Sequence, residues 1–180
     1  MTINLNARSR RWSLAALGAL ALGGALALLD WPGAAQATPA LNFNSDATRS
    51  FFEKIRVLGG LAPGQEAEDA RVKIIAKDPS DVYIVTNTVP AGGYSGWHTH
   101  PGPSVVLVKS GTATVYDGDD PNCIPTRYPA GTGFIDAGGG HVHMVRNESS
   151  TDQLVTQAFQ IIPTGQSRRI DAPSPGYCPF

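Results

Sequence analysis

From Ala70 onward the chain is a succession of short runs rich in Val, Ile, Tyr, Phe and Thr: "RVKIIAKD", "DVYIVTNTV", "SVVLVKSGTATVYD", "GTGFIDA", "HVHMVRNES" and "DQLVTQAFQII". β-Branched and aromatic side chains fit a pleated, half-buried surface, and each run is bounded by Gly, Pro, Asp, Asn or Ser, which turn a chain. No helical periodicity is sustained there. Many short strands between turns bury their apolar faces in a sandwich or a barrel, and jelly rolls belong to that group. Upstream, "DATRSFFEKIRVLGG" fits a short helix from Asp46 ended by Gly59-Gly60, and its apolar residues fit a strand at its end equally well.

The ends of the chain carry a different kind of information. "MTINLNARSRRW" is basic, "SLAALGALALGGALALL" is uncharged, and Ala35-Gln36-Ala37 is a small-x-small triplet. That order describes a secretory signal peptide over residues 1–37, and "SRRWSL" resembles a twin-arginine export signal. A retained membrane anchor is the competing reading, because the apolar core approaches the ~20 residues that span a bilayer. The rest divides into an N-terminal extension, 38–69, and a β domain, 70–180. The 14 basic and 15 acidic residues of the chain, less Arg8, Arg10, Arg11 and Asp30, leave 11 and 14, a net charge of −3. No basic run or aromatic array suits nucleic acid. An exported protein, periplasmic or secreted, meets an oxidising compartment, where Cys123 and Cys178 are expected to pair. The disulfide would tether the tail "DAPSPGYCPF", whose prolines bar it from a helix or a central strand.

All four histidines of the chain fall in two His-x-His pairs, His98/His100 and His141/His143. On a strand, residues i and i+2 share a face, so each such pair presents two imidazoles side by side. Imidazole is the commonest metal-ligand side chain. Two rings from one strand and one from a neighbour make a facial tri-histidine site with open positions.

These residues resemble the motifs of a small single-domain cupin. The first motif reads Gly, five residues, His-x-His, three or four residues, Glu, six residues, Gly. Gly92, His98, His100, Ser104 and Gly111 reproduce the spacing, with Ser104 in the glutamate position. The second reads Gly, five residues, Pro-x-Gly, two residues, His, three residues, Asn. Gly140, His143 and Asn147 match its second half, while Gly138 stands in the proline position and Thr132 in that of the first glycine. The resemblance covers residues 92 to 147. It implies an all-β, cupin-type double-stranded β-helix (a jelly-roll barrel) with a divalent metal in its mouth, bound by His98, His100 and His143. His141, Ser104 and Asn147 are candidates for a fourth ligand or for hydrogen bonds to the ligands.

A glutamate would lower the charge of such a site to about +1; its absence leaves three neutral imidazoles and a site near +2. Anionic or chelating ligands are then favoured. Fe, Mn, Ni, Cu and Zn all suit the donors. The resemblance implies a metal-dependent dioxygenase acting on a small chelating or anionic substrate. A non-catalytic metal- or ligand-binding barrel is the alternative. The expected partners are a small molecule and a second copy of the chain in a homodimer, with no nucleic acid and, after signal cleavage, no membrane. Gln157 and Phe159 alternate on a late strand and are candidate pocket residues, against the plainer reading of barrel core and surface.

Overall fold

Alternation along one strand shows how the sequence becomes a barrel. In β11 (Leu154–Pro163), Leu154, Thr156, Ala158, Gln160 and Ile162 are buried, and the residues between them are not. β6 (Ser104–Ser110) behaves alike: Ser104, Val106 and Val108 are buried, while Val105 and Leu107 face solvent. The strands come from a computed structural model that describes residues 39–59 and 72–180. The expected signal segment, 1–37, lies outside the described residues.

Two antiparallel five-stranded sheets face each other. The first runs β1 (Asn44–Phe52), β4 (Ser80–Val89), β11, β6, β9 (Gly133–Asp136). The second runs β12 (Ile170–Asp171), β5 (His98–Thr99), β10 (His143–Arg146), β7 (Thr112–Asp117), β8 (Thr126–Pro129). A separate hairpin joins β2 (Ile55–Gly59) to β3 (Val72–Ala76). Between the sheets lie Val85, Val89, Val106, Val108, Ala113, Leu154 and Ala158, with Phe43, Tyr128 and Phe134 against them. The chain passes repeatedly from one sheet to the other, which is the double-stranded β-helix that the motifs imply.

Among the described residues no helix forms, so the helical alternative from Asp46 does not hold. Asn44–Phe52 instead pairs along its whole length with β4, and that ladder outweighs local propensity. Part of the segment set apart as an extension, 38–69, is therefore the edge strand of the first sheet.

The second sheet is covered on its outer face too. Trp97, Tyr116 and Met144 pack there with Ala172 and Cys178 of the C-terminal tail. Cys123 and Cys178 form the expected disulfide, with their Cα atoms 5.5 Å apart. It anchors the tail to the loop between β7 and β8. At the turn from β6 to β7, Gly111 has φ +74°, and a Cβ there would meet the Gln153 carbonyl at 2.8 Å. Only glycine fits that corner.

Candidate metal centre

β5 and β10 lie side by side, and the ladder sets His98 directly across from His143. Their ring centroids are 4.3 Å apart. His100 follows the end of β5, with its ring 4.9 Å from that of His98 and 5.5 Å from that of His143. One nitrogen from each ring falls within 4.8 Å of the others, and all three residues are buried. The barrel is a cupin-type double-stranded β-helix with its motif histidines converging inside. In this barrel the first motif contributes His98 from β5 and His100 just past its end, and the second contributes His143 from β10.

Hydrogen bonds aim the rings. His98 Nδ1 donates to the Gly96 carbonyl at 2.9 Å, and His100 Nδ1 donates to the Arg168 carbonyl at 2.5 Å. Each leaves the Nε2 lone pair free for donation to a metal. His143 Nδ1 is buried without a hydrogen-bond partner among the described residues, 3.8 Å from Asp136 Oδ1. Burial strips hydration from the charged form and holds all three below the usual histidine range, His98 most strongly. For His143 the same desolvation brings the value to about 4, with repulsion from His100 and His141 acting in the same direction and Asp136 opposing it. Neutral, converging imidazoles are the form in which histidine binds a metal. The donor set therefore fits a divalent transition ion.

The other candidates are placed differently. The β10 strand begins only at His143, so strand alternation does not govern His141. His141 sits in the preceding turn and bonds to carboxylates at both nitrogens, Asp117 at 3.1 Å and Asp136 at 3.3 Å. Burial lowers its proton affinity, but those two carboxylates together raise it more. Ser104 lines the cavity, 2% exposed, and its Oγ accepts from Gln160 Nε2 at 2.8 Å. Asn147 is no ligand candidate. Its amide donates to the Val89 and Asp152 carbonyls at 2.9 and 2.7 Å, and its oxygen accepts the Ser149 N–H. It ties loops together away from the cavity. Gln157 and Phe159 have the wrong parity: the residues of β11 that line the cavity are Leu154, Thr156, Ala158 and Gln160.

The histidines open on a cavity of about 210 Å³, walled by Val85, Val106, Phe134 and Ala158, with Arg168 and Arg169 also on its lining. Asp136, 5% exposed, lines it as well. Neither Asp136 nor the arginines were candidates in the sequence. For Asp136 the available clue was parity with Phe134 on a strand whose other side faces out.

No protein-family model matches the sequence, and no curated protein is significantly similar to it. Solved structures do resemble the barrel. A double-stranded β-helix protein from Klebsiella pneumoniae is 21% identical, over 67% of this chain and 84% of that one, with a TM-score of 0.42. A cupin domain from Bordetella pertussis is 20% identical, over 60% and 92%, with a TM-score of 0.38. A salicylate 1,2-dioxygenase from Pseudoaminobacter salicylatoxidans is 18% identical, over 44% of this chain and 20% of that enzyme, with a TM-score of 0.37.

Proposed function

We propose that the protein is an exported metal-binding cupin that admits a small anionic or chelating molecule to its cavity and oxygenates it beside a divalent ion held by His98, His100 and His143. The observation that carries this reading is the convergence of three buried, neutral imidazoles on a cavity that also holds cationic side chains. A transition metal bound there would supply Lewis acidity and redox chemistry. The chain supplies the rest. Carbonyls of Gly96 and Arg168 fix the tautomers of His98 and His100. The apolar part of the lining lowers the local dielectric and strengthens charge interactions inside. Arg168, on the cavity lining, favours an anion in the same space, while the Arg169 guanidinium is paired with Asp171 at 2.7 Å. The Cys123–Cys178 disulfide supports export to an oxidising compartment.

Elemental analysis of the exported protein tests the ion. Wild type is expected to carry about one equivalent, His98→Ala and His143→Ala to lose most of it, and His141→Ala to lose less. Equal metal content in wild type and the His98/His143 double variant would remove the assignment. Oxygen uptake with carboxylate, enolate and diketonate chelators then separates the chemistry. Binding without uptake would leave a ligand-binding barrel in place of an oxygenase.

A further inference from the structure

Ser104 stands where the cupin motif has its carboxylate, yet a carboxylate lies one strand away. The register of β6 and β9 sets Ser104 directly opposite Asp136. On the other side, β11 sets Gln160 opposite Ser104. The three form one inward row across the sheet, all at most 5% exposed. Directly opposed residues have their Cβ atoms about 5 Å apart. A side chain at 136 can thus reach the space that a longer one at 104 would fill.

The two oxygens of Asp136 are in different situations. Oδ1 accepts the Gly138 N–H at 3.2 Å and a hydrogen bond from His141 Nδ1 at 3.3 Å. Oδ2 is buried and has no hydrogen-bond partner among the described residues. It lies 4.0 Å from His100 Nε2, the nitrogen that the Arg168 carbonyl leaves free. Two donors each about 2.1 Å from one ion can be at most about 4.2 Å apart, so this pair can share one. A buried carboxylate oxygen without a partner is costly and calls for an explanation.

A second departure from the motif supports the first. Gly138 occupies the proline position with φ +70°. Proline is locked near −65° and has no N–H. Glycine gives the turn its left-handed step and supplies the N–H that holds Asp136 Oδ1. The chain that lacks a glutamate at 104 thus also has the turn that positions an aspartate at 136.

We infer that Asp136 is the fourth protein ligand of the ion, through Oδ2, making the centre three histidines and one aspartate. The inference rests on the metal-binding reading above and changes its charge. A divalent ion with this set carries about +1, and one position fewer is open to substrate. His141 is a positioning residue that holds Oδ1 and, at its other nitrogen, Asp117.

Asp136→Asn tests this, because asparagine keeps an acceptor for Gly138 and His141 and replaces only the liganding oxygen. Co(II) affinity is measured by competition with a chromophoric chelator, and the ligand set is read from the visible Co(II) spectrum. The expected result is a loss of at least about 10-fold, since even outer partners of metal ligands are worth that much, together with a changed spectrum. Unchanged affinity, or weaker binding with the wild-type spectrum, overturns the inference while the histidine variants still lose the ion. A wild type that binds no Co(II) overturns the metal reading and the inference with it. Should the variant not fold, wild-type crystals soaked in Co(II) give the answer. An anomalous peak bonded to three imidazoles and to Asp136 Oδ2 supports the inference, and one bonded to the imidazoles alone, with Asp136 turned away, overturns it.

Discussion

Desolvation acts in the same direction on His98, His100 and His143, so each binds its proton less tightly in the folded chain than in the unfolded one. The unfolded state therefore takes up these protons first as pH falls. Their contribution to stability is complete above about pH 6.5, the ordinary histidine value, and is lost as pH falls toward the depressed native values, about 4 for His143. His141 acts in the opposite sense, because its native value is raised, but its side chain is 35% exposed and solvent weakens the effect. The metal-free protein should thus melt at a lower temperature at pH 5 than at pH 7.5, and thermal unfolding in chelator-treated buffer measures it. A flat profile would mean that the three rings are not buried neutral. Added metal should steepen the profile, since protons and the ion compete for the same nitrogens.

β5 is only two residues long, yet it carries the first candidate ligand, His98, and leads straight into the second, His100. Such an element cannot hold itself in place. It is clamped by β10 on one side and by β12 on the other, where Ile170 pairs with Thr99 and Asp171 with His98. The Ala172 N–H donates to the Trp97 carbonyl at 2.9 Å, extending the clamp. The tail beyond β12 is secured by the disulfide, whose cysteines are 55 residues apart in sequence. Closing a loop of that length stabilises a fold by on the order of 4 kcal/mol in the chain-entropy account. Cys123→Ala with Cys178→Ala is expected to cost up to about that much in denaturant unfolding, less what the β12 ladder retains. A small loss of metal affinity should accompany it, because the Arg168 carbonyl that orients His100 belongs to the same tail segment. An unchanged unfolding midpoint would show that β12 alone secures the tail.

At the scale of the whole molecule, the proposed export belongs with the disulfide, because such a staple persists in an oxidising compartment. If "SRRWSL" is read by the twin-arginine route, Arg10→Lys with Arg11→Lys should abolish export and leave precursor in the cytosol. Cell fractionation measures this, and undiminished export would assign the general secretory route. The sequence alone determined the β class, the turns, the cysteine pair and the motif histidines. Each of these is written in short-range pattern: period-two alternation, glycine and proline punctuation, and His-x-His spacing. It left the segment from Asp46 open between a helix and a strand at its end; β2 is such a strand, and for residues 46–52 a ladder with β4 decides the conformation. It left the parity of β11 open, since a one-residue offset reverses face to face, and the structure bears out the plainer reading of Gln157 and Phe159. For Asp136 the sequence offered only its parity with Phe134. Its place beside the histidines depends on the pairing of β6 with β9, and its fixed carboxylate depends on a left-handed glycine and on a histidine outside the strand. Spacing along a chain specifies which residues share a strand face; only the register between strands brings a carboxylate from one motif to the vacant position of the other.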